Sequence, residues 1–189
     1  QESSARAFQR DIDFYWSTAH TNPITLTKDG RLYKRDLRLV NEALLQQIEI
    51  GDKDEPDHPR LIFLRLLLTD LGLLNRHGQT VSGIDHPQFL GQDPPERIKQ
   101  TFIHWRDGTF WNEIFSVPGI MLSEAGTRID PVPSQIAEAR RHVLDHMAEL
   151  HRVGMAANPS LPPESRWVPI AQLIESLRVG DYDFVFPRN

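Results

Sequence analysis

The segment LIFLRLLLTDLGLL, residues 61–74, constrains the fold of this chain more than any other part of it. Read as a helix from Pro59 to Leu71, it is apolar on almost every side, at Leu61, Ile62, Phe63, Leu64, Leu66, Leu67, Leu68 and Leu71. A helix of that kind has to be covered all round. Arg65, Thr69, Asp70 and Gly72 interrupt the run, which falls well short of the ~18 apolar residues a membrane span needs. It is therefore expected at the centre of a soluble domain, and no membrane partner is expected. Pro59 suits the first turn of this helix, and Gly72 stands where a left-handed cap belongs.

Around that centre the hydrophobic spacing predicts further elements. Ala5 to Ala19 reads as a helix, with Phe8, Ile12, Tyr15 and Trp16 near helical spacing and Asn22-Pro23 as its stop. An extended piece follows over Ile24 to Thr27, with Ile24 and Leu26 on one face, and Asp29-Gly30 makes a turn. A second helix is expected over roughly Leu32 to Gln47, and the acidic stretch Gly51 to His58 reads as a solvated loop. After the apolar helix, Leu73 to Arg76, His77-Gly78 and Gln79 to Val81 read as strand, tight turn and strand.

Asp85-His86-Pro87 and Gly91 to Pro95 punctuate the chain and suggest a module boundary. Asp93-Pro94-Pro95-Glu96 has the spacing of a capping box and starts a helix from Pro94 to about Arg106. A shorter helix is expected around Trp111 to Phe115, a linker over Ser123 to Pro133, and a long helix over Ser134 to Arg152. Trp167 to Leu177 reads as a last helix, with Tyr182 to Phe186 as the start of a strand. The expected class is α+β, predominantly helical, with one module over residues 1–90 and a second helical module over 91–189.

The chain starts at Gln1, without a basic start and apolar stretch of the secretory kind, so it is expected to be a piece of a larger intracellular protein. It has no cysteine, which excludes disulfides and thiolate metal sites and is compatible with a cytoplasmic location. The net charge of −5 argues against a surface that attracts phosphate everywhere. Nucleic-acid binding would have to use a local patch. Residues 28–38 supply one: Lys28, Arg31, Lys34, Arg35 and Arg38 stand against Asp29 and Asp36, a local balance of +3. On a helix, Arg31, Lys34, Arg35 and Arg38 fall at i, i+3, i+4 and i+7 and share a face. Such a face holds phosphates in register without reading sequence; the alternative is a solvated face partnered by Asp36 and Glu42.

Helix, short strand, helix, helix and a two-stranded hairpin follow one another in the winged-helix order. NPITLTKDGRLYKRDLRLV, residues 22–40, resembles winged-helix modules of bacterial helicase-associated and regulatory proteins, in which a Leu-Thr strand leads into Gly-x-Leu-x-x-Arg-Asp-Leu. Those positions here are Leu26, Thr27, Gly30, Leu32, Arg35, Asp36 and Leu37, and Leu71 to Leu74 is similar to the junction between helix and wing. The segment Trp167 to Pro187 looks like the start of a second such module, whose wing would lie beyond Asn189. The resemblance implies a DNA-binding helix-turn-helix element of a transcription-regulating or DNA-processing protein. Arg76 and His77 would then be wing contacts, or simply hairpin-tip polarity. A reading helix must show polar side chains to base edges. The apolar third helix does not, so backbone contact without sequence readout is expected.

Other constellations carry less. His142 and His146 lie at i, i+4, a spacing able to chelate zinc, but Val143 stands where metalloprotease helices place a glutamate. A solvated face explains the histidines better. Trp105, Phe110 and Trp111 with His104 could stack bases, though a small helical core uses such residues more often. No phosphate loop, nucleophile elbow or paired carboxylates are visible. No catalytic residue, metal or cofactor is expected. The candidate nucleic-acid-binding residues are Lys28, Arg31, Lys34, Arg35, Arg38 and Arg76, and the competing expectation is a protein–protein interaction scaffold.

Overall fold

The computed structural model describes residues 4–113, 133–157 and 169–180. The chain is α+β and predominantly helical. It divides into two compact units, Gln1–Thr127 and Arg128–Asn189. In the first, α1 (Ser4–Thr21) leads to β1 (Ile24–Thr25), α2 (Lys34–Ala43) and α3 (Pro59–Asp70). The hairpin β2 (Leu74–His77) and β3 (Thr80–Gly83) follows, then the single turn α4 (Pro87–Leu90) and α5 (Pro94–Asp107).

The three strands form an antiparallel sheet in the order β1-β3-β2, with Ile24 opposite Val81 and Leu74 opposite Gly83. Leu26 adds a bridge to Leu32, closing the turn between them. Ile24 and Leu26 are both buried, as their shared face requires. The two-residue hairpin turn has Gly78 at φ 62° and no positive φ at Gln79, the arrangement in which glycine is favoured at the first central position.

Helix α3 lies at the centre. Leu61, Leu64, Leu67 and Leu68 are fully buried, and Ile62, Phe63 and Leu66 are partly so. Its end follows the glycine rule: Gly72 takes φ 73°, Leu73 N–H donates to Leu68 C=O at 2.8 Å, and Gly72 N–H to Thr69 C=O at 3.1 Å. Around it, Ile12, Tyr15 and Ala19 of α1, Leu37 and Val40 of α2 and Val81 of β3 complete one core.

Two expectations about this unit change. Helix α2 ends at Ala43 instead of near Gln47 because side chains capture the amides that would have continued it. Buried Asp11 of α1 accepts Leu45 N–H at 2.6 Å, and Asn41 both accepts Ile48 N–H and donates to Ile48 C=O. The acidic stretch 51–58 is not a purely solvated loop. Glu55 is 1% exposed and accepts Leu32 N–H at 2.8 Å and two bonds from Arg65.

The expected boundary near residue 90 does not interrupt the packing. Helix α5, capped by Asp93 accepting Glu96 N–H at 3.0 Å, lies against α1 and α3. Arg97 pairs with Asp13 of α1 at 2.6 Å, and His104 Nδ1 is 2.9 Å from Asp70 of α3. Phe63 meets Phe110 and Trp111, so this aromatic cluster belongs to the core. Of the helix expected over Trp111 to Phe115, Trp111 and Asn112 are not helical and 114–115 lie outside the described residues, as do residues 123–132 of the expected linker and the strand expected at Tyr182. In the second unit, α6 (Pro133–Ala157) and α7 (Ile170–Gly180) pack together, with His146 Nε2 2.6 Å from Ser176 Oγ. Of the segment 167–187 expected to start a second winged helix, residues 170–180 form α7, and 167–168 and 181–187 lie outside the described residues. Among the described residues, no helix is long and apolar enough to cross a membrane.

Candidate nucleic-acid interface

Lys28, Arg31, Lys34, Arg35, Arg38 and Arg76 are all exposed, but they do not form a single helical flank. Arg31 precedes α2, which starts at Lys34 after an extended Tyr33. The reason is local. Leu26 bridges Leu32, Thr27 N–H donates to Arg31 C=O at 2.7 Å, and Arg31 N–H donates to Thr27 Oγ1 at 3.2 Å. Those bonds fold residues 27–31 into a tight turn with Gly30 at φ 77°, which a helix starting at Leu32 could not accommodate.

The six cations therefore fall into two sets. In the first, Lys28 and Arg31 stand on the 27–31 turn beside the hairpin. Leu26 N–H donates to Gln79 C=O at 2.7 Å, tying the chain entering that turn to the hairpin tip. Arg76 reaches across from β2: a Cβ placed on Gly30 would lie 3.6 Å from its Nη1. Arg76 Nε also donates to Gly78 C=O at 2.8 Å, which fixes the guanidinium over the hairpin turn while leaving the residue exposed. The side chains of Lys28 and Arg31 make no ion pair with any described residue.

In the second set, Lys34 and Arg38 face the 51–54 loop. Lys34 Nζ donates to Asp52 C=O at 2.6 Å and lies 3.6 Å from Asp54, and Arg38 donates to Gly51 C=O at 3.2 Å. Arg35 bonds Asp36 Oδ1 at 2.9 Å, but its side chain is 81% exposed. The buried Asp36 carboxylate holds the Arg35 guanidinium above its ordinary pKa, chiefly through that hydrogen bond. Asp36 also accepts Thr25 N–H at 2.8 Å, so this carboxylate joins α2 to β1. Because the Arg35 side chain itself remains open to solvent, it stays available to a phosphate.

Asp36 was named in the sequence as a partner of the cations, whereas Glu55 fell within a stretch read as a solvated loop. Glu55 holds Leu32 N–H and hence the far end of the Lys28–Arg31 turn. Only its position three residues before His58-Pro59 distinguishes it from its solvated neighbours, and that is no signal of burial. His142 and His146 stand with their rings 6.5 Å apart, and among the described residues no group of three or more metal-ligating side chains gathers. The chain matches no protein-family model, no curated protein and no solved structure.

Proposed function

We propose that the first unit is a winged-helix module of a larger regulatory or DNA-processing protein, and that it grips a nucleic-acid backbone without strong sequence readout. The element order and the β1-β3-β2 sheet support the fold assignment. The observation that carries the function is the gathering of Lys28, Arg31 and Arg76 where the turn meets the hairpin, in a chain whose net charge is −5. Arg35, exposed on α2 in the other set, is a further cation open to solvent. Helix α3 is covered on nearly every side and offers no polar face to a groove, which supports backbone contact over base reading. In this reading the protein binds and does not catalyse, and a cysteine-free chain suits the reducing cytoplasm.

Fluorescence anisotropy with a labelled DNA duplex tests the proposal. Three backbone contacts predict a log–log salt slope of about −2.7, so affinity falls roughly forty-fold between about 50 and about 200 mM salt. Replacing Lys28, Arg31 and Arg76 together with glutamate removes that slope and most of the binding. Absence of binding at the lower salt, or a triple variant that binds like the parent, rules the proposal out.

A second reading has its own observation. Helix α7 exposes Ile170, Ile174 and Val179, and α6 exposes Met147 and Val153, which suits a scaffold that docks onto another protein. Under this reading Ile170→Asp with Ile174→Asp abolishes association with a purified partner, while the charge-reversed triple variant retains it. The opposite pattern discards it.

A further inference from the structure

The sheet turns one face to the core, and its register fixes which side chains share the other. The bridge between Leu26 and Leu32 is flanked by two backbone bonds, Thr27 N–H to Arg31 C=O at 2.7 Å and Tyr33 N–H to Thr25 C=O at 3.3 Å. Tyr33 is therefore opposite Thr25, and Arg31 is opposite Thr27. Thr25 pairs in turn with Thr80 of β3, and Thr80 with His77 of β2. Directly opposed residues of an antiparallel ladder point to the same side of the sheet. Tyr33, Thr25, Thr80 and His77 thus form one row across it. Their chain neighbours Ile24, Leu26, Leu32 and Val81 are buried, which puts the row on the outer face.

An aromatic ring stands at each end of that row. Tyr33 is 49% exposed, more than any other large hydrophobic side chain described in the first unit, and His77 is exposed as well. Neither ring makes a hydrogen bond, ion pair or ring contact with any described residue. Between them the row carries only the short side chains of Thr25 and Thr80. Arg31 stands on the same side two residues before Tyr33, roughly 7 Å away along the extended chain. Strands lie ~4.8 Å apart, so the backbones that carry the two rings are separated by roughly 14 Å. That is about four times the ~3.4 Å rise per nucleotide of a duplex strand, so the pair does not match bases still stacked on their neighbours. A duplex also offers only base edges, in its grooves. Two open rings at this spacing suit bases splayed from an unpaired strand.

We propose that the outer face of the sheet binds single-stranded nucleic acid, with one base stacked on Tyr33, a second on His77, and the intervening phosphates drawn to Arg31 and Lys28. This rests on the backbone-binding reading above and names its ligand as an unpaired strand. Stacking is tolerant of sequence, because every base has a π-face. It therefore needs no polar recognition helix, and α3 provides none. The row carries no carboxylate, so nothing on it repels a phosphate.

Fluorescence anisotropy of the full chain with labelled oligothymidylate, oligouridylate, an abasic phosphodiester strand and a duplex, all of one length, tests this. The expected result is that a base-bearing strand, whichever sugar the face accepts, binds about ten-fold more tightly than the abasic strand or the duplex, the effect of about one stacked base. Tyr33→Ala weakens that strand by about the same factor, Tyr33→Phe retains it, and neither variant changes the affinity of the abasic strand. The Tyr33 side chain is unpacked, so these variants keep the fold, and His77→Ala gives a second, independent loss. Equal binding of base-bearing and abasic strands, or strand binding untouched by Tyr33→Ala, overturns the proposal and leaves the backbone-binding reading standing. A duplex that binds more tightly than either single strand does the same. Absence of binding to every probe at low salt overturns both.

Discussion

Glu55→Ala is expected to destabilise the first unit by about 3–5 kcal/mol, the usual consequence of removing one partner from a buried ion pair. Glu55 is 1% exposed, and its partner Arg65 on α3 is 12% exposed at the side chain. Deleting the carboxylate strands the Arg65 guanidinium and the Leu32 N–H together, and neither has water to turn to. Since domains are stable by only about 5–15 kcal/mol, the loss is a large part of the total. Urea denaturation measures it as a lower midpoint at an unchanged slope. The double variant Glu55→Ala with Arg65→Leu should recover a good part of the loss, because it removes the orphaned charge as well. A shift worth less than about 1 kcal/mol would mean that solvent reaches this pair, contrary to its burial. There is a functional consequence too. Leu32 closes the turn that carries Lys28 and Arg31, so the alanine variant should also bind DNA more weakly than its stability alone explains.

Gly83→Ala ranks second. A Cβ at Gly83 would lie 2.7 Å from His20 Cβ and 2.8 Å from both His20 Cα and His20 N. Those last two atoms are helix backbone and cannot rotate away, so α1 and β3 would have to separate. The contacts at risk are the Trp16 Nε1–H bond to Ile84 C=O at 2.8 Å and the 3.2 Å approach of His20 Nδ1 to Gly83 C=O. Overpacking of this sort costs about 1–3 kcal/mol. Thermal unfolding should show Tm lower by several degrees, and an unchanged Tm would mean that helix and hairpin are not in such close contact. The hairpin carries Arg76, so any displacement of β3 reaches the cationic surface as well.

Much of the fold was legible in the sequence, for identifiable reasons. Near-continuous leucine over 61–71 demanded a covered helix, and α3 is covered. Gly72 and Asp93 marked helix ends because each supplies what a terminus lacks, a left-handed residue or a side-chain acceptor. His77-Gly78 marked a hairpin turn, since glycine there admits the positive φ of a two-residue turn; the turn itself falls one residue on, at Gly78-Gln79. The candidate site was legible in composition but not in arrangement. Spacing put Arg31 with Lys34, Arg35 and Arg38, whereas the turn closed by Leu26 and Leu32 puts it with Lys28 and Arg76. The end of α2 and the burial of Glu55 were illegible as well. Both depend on partners far along the chain, Asp11 for the former and Arg65 for the latter.

By itself, then, the sequence determined the order of the elements, the helix that must be central, and the presence of a cationic segment in an acidic chain. These follow from periodicity, capping chemistry and charge, which act within a few residues of one another. Tertiary structure alone decided which cations meet and that α5 packs on α1 and α3. Such outcomes depend on which backbone amides and carboxylates are shut away from water together, and that is settled only when segments distant along the chain pack against each other.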